Sequence, residues 1–139
     1  MSIDFSHVNI WAVLVSAVAT FMIGGLWYGL LFAKRWVELH GFNEQQVKQM
    51  AKKQTRNFGL FFAGDLIMAT VISLLIGNLG IQGAGQGALL GVLLWLGIAA
   101  TIGAAKNAAT NKPLAAYVID TSHELAGLAV MGAILGAWR

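Results

Sequence analysis

Asp120, His123 and Glu124 lie together in the stretch DTSHELAG, residues 120–127. Carboxylates and an imidazole are the side chains that pass protons and hold cations. Their i, i+3 and i, i+4 spacing sets them on or beside one helix face. Asp65 is a fourth ionisable group, in another apolar segment. All four sit in sequence that otherwise reads as bilayer-spanning. A charge at a bilayer centre costs about 2.5–3.5 kcal/mol on insertion scales. These acids must therefore face a partner, face water or be protonated. One reading makes them a proton- or cation-linked pathway. The other makes them packing devices, paired with Lys106 or Arg56 or hydrogen-bonded between helices. A metal site needs Asp65 or a second chain to complete the ligands of one helix. We therefore expect neither metal nor cofactor.

The elements that position these residues follow from composition. The chain has 139 residues, 58% hydrophobic and only 11% charged, with mean hydropathy +0.70. So few charges cannot cover a water-soluble globule, whose charged share averages about a quarter. Crossing the ~30 Å hydrocarbon core takes roughly 20 apolar residues. Four segments qualify, approximately 8–33, 58–79, 83–105 and 114–138. The sequence thus predicts an all-α, polytopic membrane protein, a four-transmembrane-helix bundle forming one domain over 1–139. Its loop 34–57 is expected to hold a short amphipathic helix, started by a capping box at Asn43 and Gln46 and drawn to anionic headgroups. The N-terminal segment lacks a basic n-region, so the first span is expected to be retained.

Lys34, Arg35, Lys48, Lys52, Lys53 and Arg56 fall in the first loop, and Lys106 and Lys112 in the third. The positive-inside rule puts those loops in the cytoplasm and both termini outside. The bias argues for parallel chains in any oligomer and leaves no basic surface for nucleic acid. Trp11, Trp27, Trp36, Trp95 and Trp138 fall mostly near span ends, as interfacial aromatics do. Small residues recur every fourth position, at Gly25 and Gly29, Gly87 and Gly91, and Gly132 and Gly136, a spacing that lets helices approach closely in lipid. The third span, glycine-rich and uniformly apolar, is expected to be covered by protein on more than one side.

By depth, Asp65 and Asp120 each lie seven positions into their spans, roughly 10 Å in, with Glu124 a turn deeper. Tyr28 and Thr101 are expected at the same level, giving a binding layer of Asp65, Asp120, His123, Glu124, Tyr28 and Thr101. No Walker loop, G-x-S-x-G or H-E-x-x-H occurs, and no enzymatic activity is expected.

The stretch IGGLWYGLLFAKRWVELHGF resembles the small bacterial membrane proteins grouped as domain of unknown function 1761. The matching residues are Trp27, Tyr28, Phe32, Lys34, Trp36 and Gly41, and the C-terminal MGAILGAW also suits that family. Gly29 and Leu30 stand where the family often has Ser-Pro. The resemblance implies a four-helix integral architecture in a bacterial inner membrane, and no activity. The functional expectation is a homo-oligomeric proton- or cation-linked transporter or channel for a small ion or solute, its acids in a shared layer. The alternative is a non-catalytic membrane interaction protein whose acids are structural pairs.

Overall fold

Asn9 opens the first helix by accepting from the backbone N–H groups of Trp11 (3.1 Å) and Ala12 (3.2 Å), which satisfies donors that a helix start leaves free. The computed structural model describes all residues, Met1–Arg139. Helix α1 runs Ile10–Leu31. It is α-helical over Ile10–Gly25 and widens to a π-helix over Leu26–Leu31. Two short helices follow. Helix α2, Ala33–His40, stops at Gly41, whose φ of 67° suits a residue without Cβ. Helix α3, Glu44–Lys52, starts on a reciprocal cap between Asn43 and Gln46.

Helix α4 is Gln54–Asn78, α5 is Ala84–Ala109 and α6 is Leu114–Ala137. Helix α5 carries a second π-helical stretch, Trp95–Ala99. Helices α1, α4, α5 and α6 are each long and apolar enough to cross a membrane. There are no strands.

The four long helices alternate in direction. Asp4 and Asn78 exchange hydrogen bonds (2.9 and 3.1 Å), and Arg139 donates to the carbonyls of Ile76 (3.3 Å) and Ile81 (2.6 Å). Both termini therefore gather at the Asn78 end of α4. Arg139 there meets the negative end of a helix dipole. The basic residues of 34–56 and 106–112 lie at the opposite end.

Helix α6 is the hub, packing on α1, α4 and most extensively on α5. The α5–α6 seam is made of glycine. Gly87, Gly91, Gly132 and Gly136 are buried. A Cβ on Gly87 would strike the Gly132 carbonyl, and one on Gly91 the Leu128 carbonyl. Gly83 N–H donates to the Gly136 carbonyl across the seam (2.9 Å). The apolar core of Ala12, Val13, Ala69, Ile72, Ile76, Met131 and Leu135 fills the half of the bundle nearest the termini.

The first glycine pair and the third span are little covered within the chain. Gly25 and Gly29 are not buried, and a methyl added to either would meet nothing within 4 Å, so they form no seam within the chain. Helix α5, expected to be covered on more than one side, is the least covered long helix of the chain, with only 11% of its apolar window buried. Its glycines fit one groove, and Leu89, Leu93, Leu96, Ile98 and Ile102 point outward. Apolar character marks burial in water, but in lipid it equally marks an outer surface.

Candidate functional site

Three tryptophans aim their indole N–H groups at one turn of α6. Trp27 donates to Ser122 Oγ (3.1 Å), Trp36 to Asp120 Oδ1 (3.2 Å), and Trp95 to the carbonyl and hydroxyl of Thr121 (2.9 and 3.0 Å). These three half-buried rings serve as hydrogen-bond donors within the bundle, while Trp11 and Trp138, near span ends, are exposed. Trp27 and Trp95 lie in the two π-helical stretches. Such widened turns occur often at functional sites, and here each presents an indole to the same level of α6.

Asp120 is held twice. Tyr28 donates its hydroxyl to Oδ1 at 2.6 Å, beside the Trp36 bond. The carboxylate thereby ties α1 and α2 to α6. Charge-assisted bonds of this kind are the strong ones. Trp36 in turn packs on His40, ring centroids 4.1 Å apart, and on Phe42 at 5.6 Å. Tyr28 meets His123 edge-on, 5.1 Å between centroids. Gly24 leaves room for that ring, since a Cβ there would stand 3.3 Å from Nε2.

His123 also borders a cavity of about 250 Å³, lined by Thr20, Asp65, Met68, Ala99, His123, Glu124, Gly127 and Leu128. All four long helices contribute, each from its middle portion. Asp65 and Glu124 are half-buried. The chain's two ion pairs, His7 with Asp4 (3.4 Å) and Arg35 with Glu38 (3.7 Å), are exposed and elsewhere. Arg56 donates to Asn57 (3.2 Å), and no lysine or arginine lies within 4 Å of a cavity carboxyl, though Lys106 acts on Glu124 through charge at longer range. Thr20 is 4% exposed, and its hydroxyl has no hydrogen-bond partner. Helical threonines ordinarily bond back to the preceding turn, as Thr70 does to Leu66 (2.8 Å). An orphaned buried hydroxyl costs roughly 1–3 kcal/mol. Thr20 borders the cavity, with its methyl toward Gly127 and its hydroxyl oxygen buried.

The family described as Protein of unknown function (DUF1761) matches residues 11–136. The chain belongs to the DUF1761 family. The match takes in the cavity and nearly the whole of the four long helices. No curated protein matches the chain, and no solved structure does. The family description assigns no activity, so the chemistry of this DUF1761 protein has to be read from its side chains.

Of the expected layer, Asp65, His123 and Glu124 come together at the cavity. Asp120 and Tyr28 form a separate hydrogen-bonded pair next to it, joined through the His123 ring. Asp65 borders the cavity with Glu124 and His123, while Asp120 is engaged by Tyr28 and Trp36. Thr101 stands apart. It is exposed and bonds back to the carbonyls of Gly97 and Ile98 (3.1 and 3.0 Å). No three acid or histidine side chains are arranged as metal ligands. Thr20, Met68 and Ser122 lie outside the sequence expectations. Thr20 carries a signal, a hydroxyl inside an apolar span four residues from Ser16 and Gly24, but nothing in the sequence gives its facing.

Proposed function

We propose that this DUF1761 chain is a proton-linked cation carrier, working as a parallel homo-oligomer in the bacterial inner membrane with both termini outside. The observation that carries the reading is the mid-bundle cavity, lined by Asp65, Glu124 and His123, with no lysine or arginine in ion-pair contact with either carboxyl. In low dielectric such carboxylates are stable when protonated or when a cation sits between them. The two states exclude one another, and that exclusion is the coupling: an arriving cation displaces protons, and protons displace the cation. Acids kept only for packing are replaceable by apolar side chains of similar volume at little cost, so two unpaired acids at this depth favour a working role. The basic ends of the loops favour the orientation.

Asp120 supports a second role within the same molecule. Held by Tyr28 and Trp36, it works as a strut that docks α2, a structural duty of the kind the sequence allows for every one of the acids. The test is proton flux into proteoliposomes, with a pH-sensitive dye inside. Asp65→Asn and Glu124→Gln should abolish flux while leaving yield, helicity and assembly unchanged. Full flux in both variants would refute the carrier. Loss of folding in both would return the acids to a structural role.

A further inference from the structure

We infer that a hollow at the loop end of the bundle, between α3 and the start of α4, is a binding site for the phosphate headgroup of an anionic phospholipid. Such a site is independent of the carrier reading.

The hollow has a volume of about 240 Å³ and is lined by Phe42, Gln46, Gln49, Met50, Lys53 and Asn57. Its polar lining is biased towards donors. Gln46 Oε1 already accepts from the Asn43 backbone N–H (2.9 Å). Asn57 Oδ1 already accepts from the Arg56 guanidinium, 3.2 Å from Nη2 and 3.4 Å from Nε. With both oxygens engaged, N–H donors are what these two side chains have left to offer. Lys53 is a donor only, and Gln49 can donate as well. No carboxylate lines the hollow, and Glu44, the one acid of α3, lies outside it. Two further cations stand close. Arg56 is bonded to Asn57, and Lys112, from the loop between α5 and α6, sits over the Phe42 ring, 5.8 Å from its centroid. Cations and N–H donors without a carboxylate suit a phosphate, whose oxygens accept several charge-assisted bonds at once.

The surroundings favour a lipid over a free anion. Phe42 and Met50, both half-buried, give the hollow an apolar wall. Asn57 stands in the first turn of α4, and Leu60 and Phe61 follow it at i+3 and i+4, on the same face of the helix. They are 63% and 60% exposed. A headgroup seated at Asn57 therefore has an apolar strip one turn further along a helix long enough to cross a membrane, and acyl chains can lie against that strip. The hollow is also at the end of the bundle where the basic loop residues gather, and basic residues beside a span are drawn to anionic lipid.

The test is native mass spectrometry of the whole purified protein in detergent, titrated with phosphatidylglycerol, with phosphatidylcholine of the same acyl chains, and with inorganic phosphate. Phosphatidylglycerol should bind at least about tenfold more tightly than phosphatidylcholine, whose choline cation offsets its phosphate beside basic side chains. Lys53→Gln should weaken phosphatidylglycerol about fivefold, the worth of one basic residue near a headgroup. Gln49→Glu, which sets a carboxylate in the lining, should weaken it at least as much. Lys48→Gln removes the same charge from α3 outside the hollow and should change affinity by less than about twofold at physiological ionic strength, where separated surface charges are screened. All three side chains are exposed, and Lys53 caps α3 through its backbone N–H, so the variants should keep wild-type helicity. Equal losses in Lys48→Gln and Lys53→Gln would leave only a diffuse basic surface and overturn the site. Equal binding of the two lipids, or none of phosphatidylglycerol, would do the same. Displacement of phosphatidylglycerol by excess inorganic phosphate would make the site one for a free anion and overturn the lipid assignment.

Discussion

Replacing Gly87 by alanine should separate the two helices that hold the bundle's hub together. The added methyl would overlap the Gly132 carbonyl oxygen, lie 2.8 Å from that carbonyl carbon and 3.1 Å from Gly136 Cα. Every neighbour is backbone, so no side chain can swing away. Reaching an ordinary contact distance of ~3.5 Å or more forces α5 and α6 apart by roughly 1–2 Å. Packing is the chief attraction between helices in lipid, and the parting also loosens Leu90, Leu94 and Leu128 against the core. Overpacking of this kind costs about 3 kcal/mol. Alanine regains about 1 kcal/mol of helix propensity over glycine, which leaves a net loss of about 2 kcal/mol. Thermal unfolding in detergent, followed by helical circular dichroism, should show Tm lowered by roughly 5–10 °C. Gly29→Ala, with open space around the new methyl, should hold or slightly raise Tm. A Gly87→Ala protein as stable as the wild type, beside a destabilised Gly29→Ala, would refute the seam.

Tyr28→Phe removes the shorter of two bonds to Asp120 and should cost about 1.5–3 kcal/mol, the range for a bond to a charged group. Trp36→Phe should cost less but release α2, read as faster amide exchange over Ala33–His40, and unchanged exchange there would show that Asp120 does not dock this helix. At the N-terminus, the bonds from Ser6 hold the exposed Asp4 carboxyl below its usual range. A lowered folded-state value means the contribution is present above the ordinary carboxylate range and lost as pH falls through the lowered one. Acid should therefore fray Phe5–His7, seen as faster exchange of the Ser6 amide, while the bundle's helicity persists.

The four long helices are legible in the sequence because length and hydropathy are set residue by residue. The glycines of the α5–α6 seam are legible as small-residue repeats, but that Gly87 and Gly91 meet the Gly132 and Gly136 helix is seen only in the structure. Gly25 and Gly29 carry the same interval and find no partner within the chain, so spacing reports an ability to approach, not a neighbour. The rotation of each helix about its axis is what sequence withholds. Asp65 and Asp120 occupy equivalent positions in their segments, yet Asp65 borders the cavity while Asp120 turns to Tyr28 and Trp36. The inward turn of Trp27 and Trp95 depends on π-helical stretches (Leu26–Leu31 and Trp95–Ala99), whose longer-range backbone bonding leaves no pattern of residue types. Thr20 is invisible for a similar reason, since a single hydroxyl in an apolar run shows its role only when its neighbours are known.

A hydrophobic carbodiimide tests most directly whether Asp65 and Glu124 line a cavity reached from the apolar face while Asp120 is engaged elsewhere. The reagent modifies protonated carboxyls that it can reach from the lipid side, and peptide mass spectrometry locates the adducts. Adducts are expected on Asp65 and Glu124, with Asp120 unmodified. Modification of Asp120 with Asp65 and Glu124 left untouched would contradict that assignment.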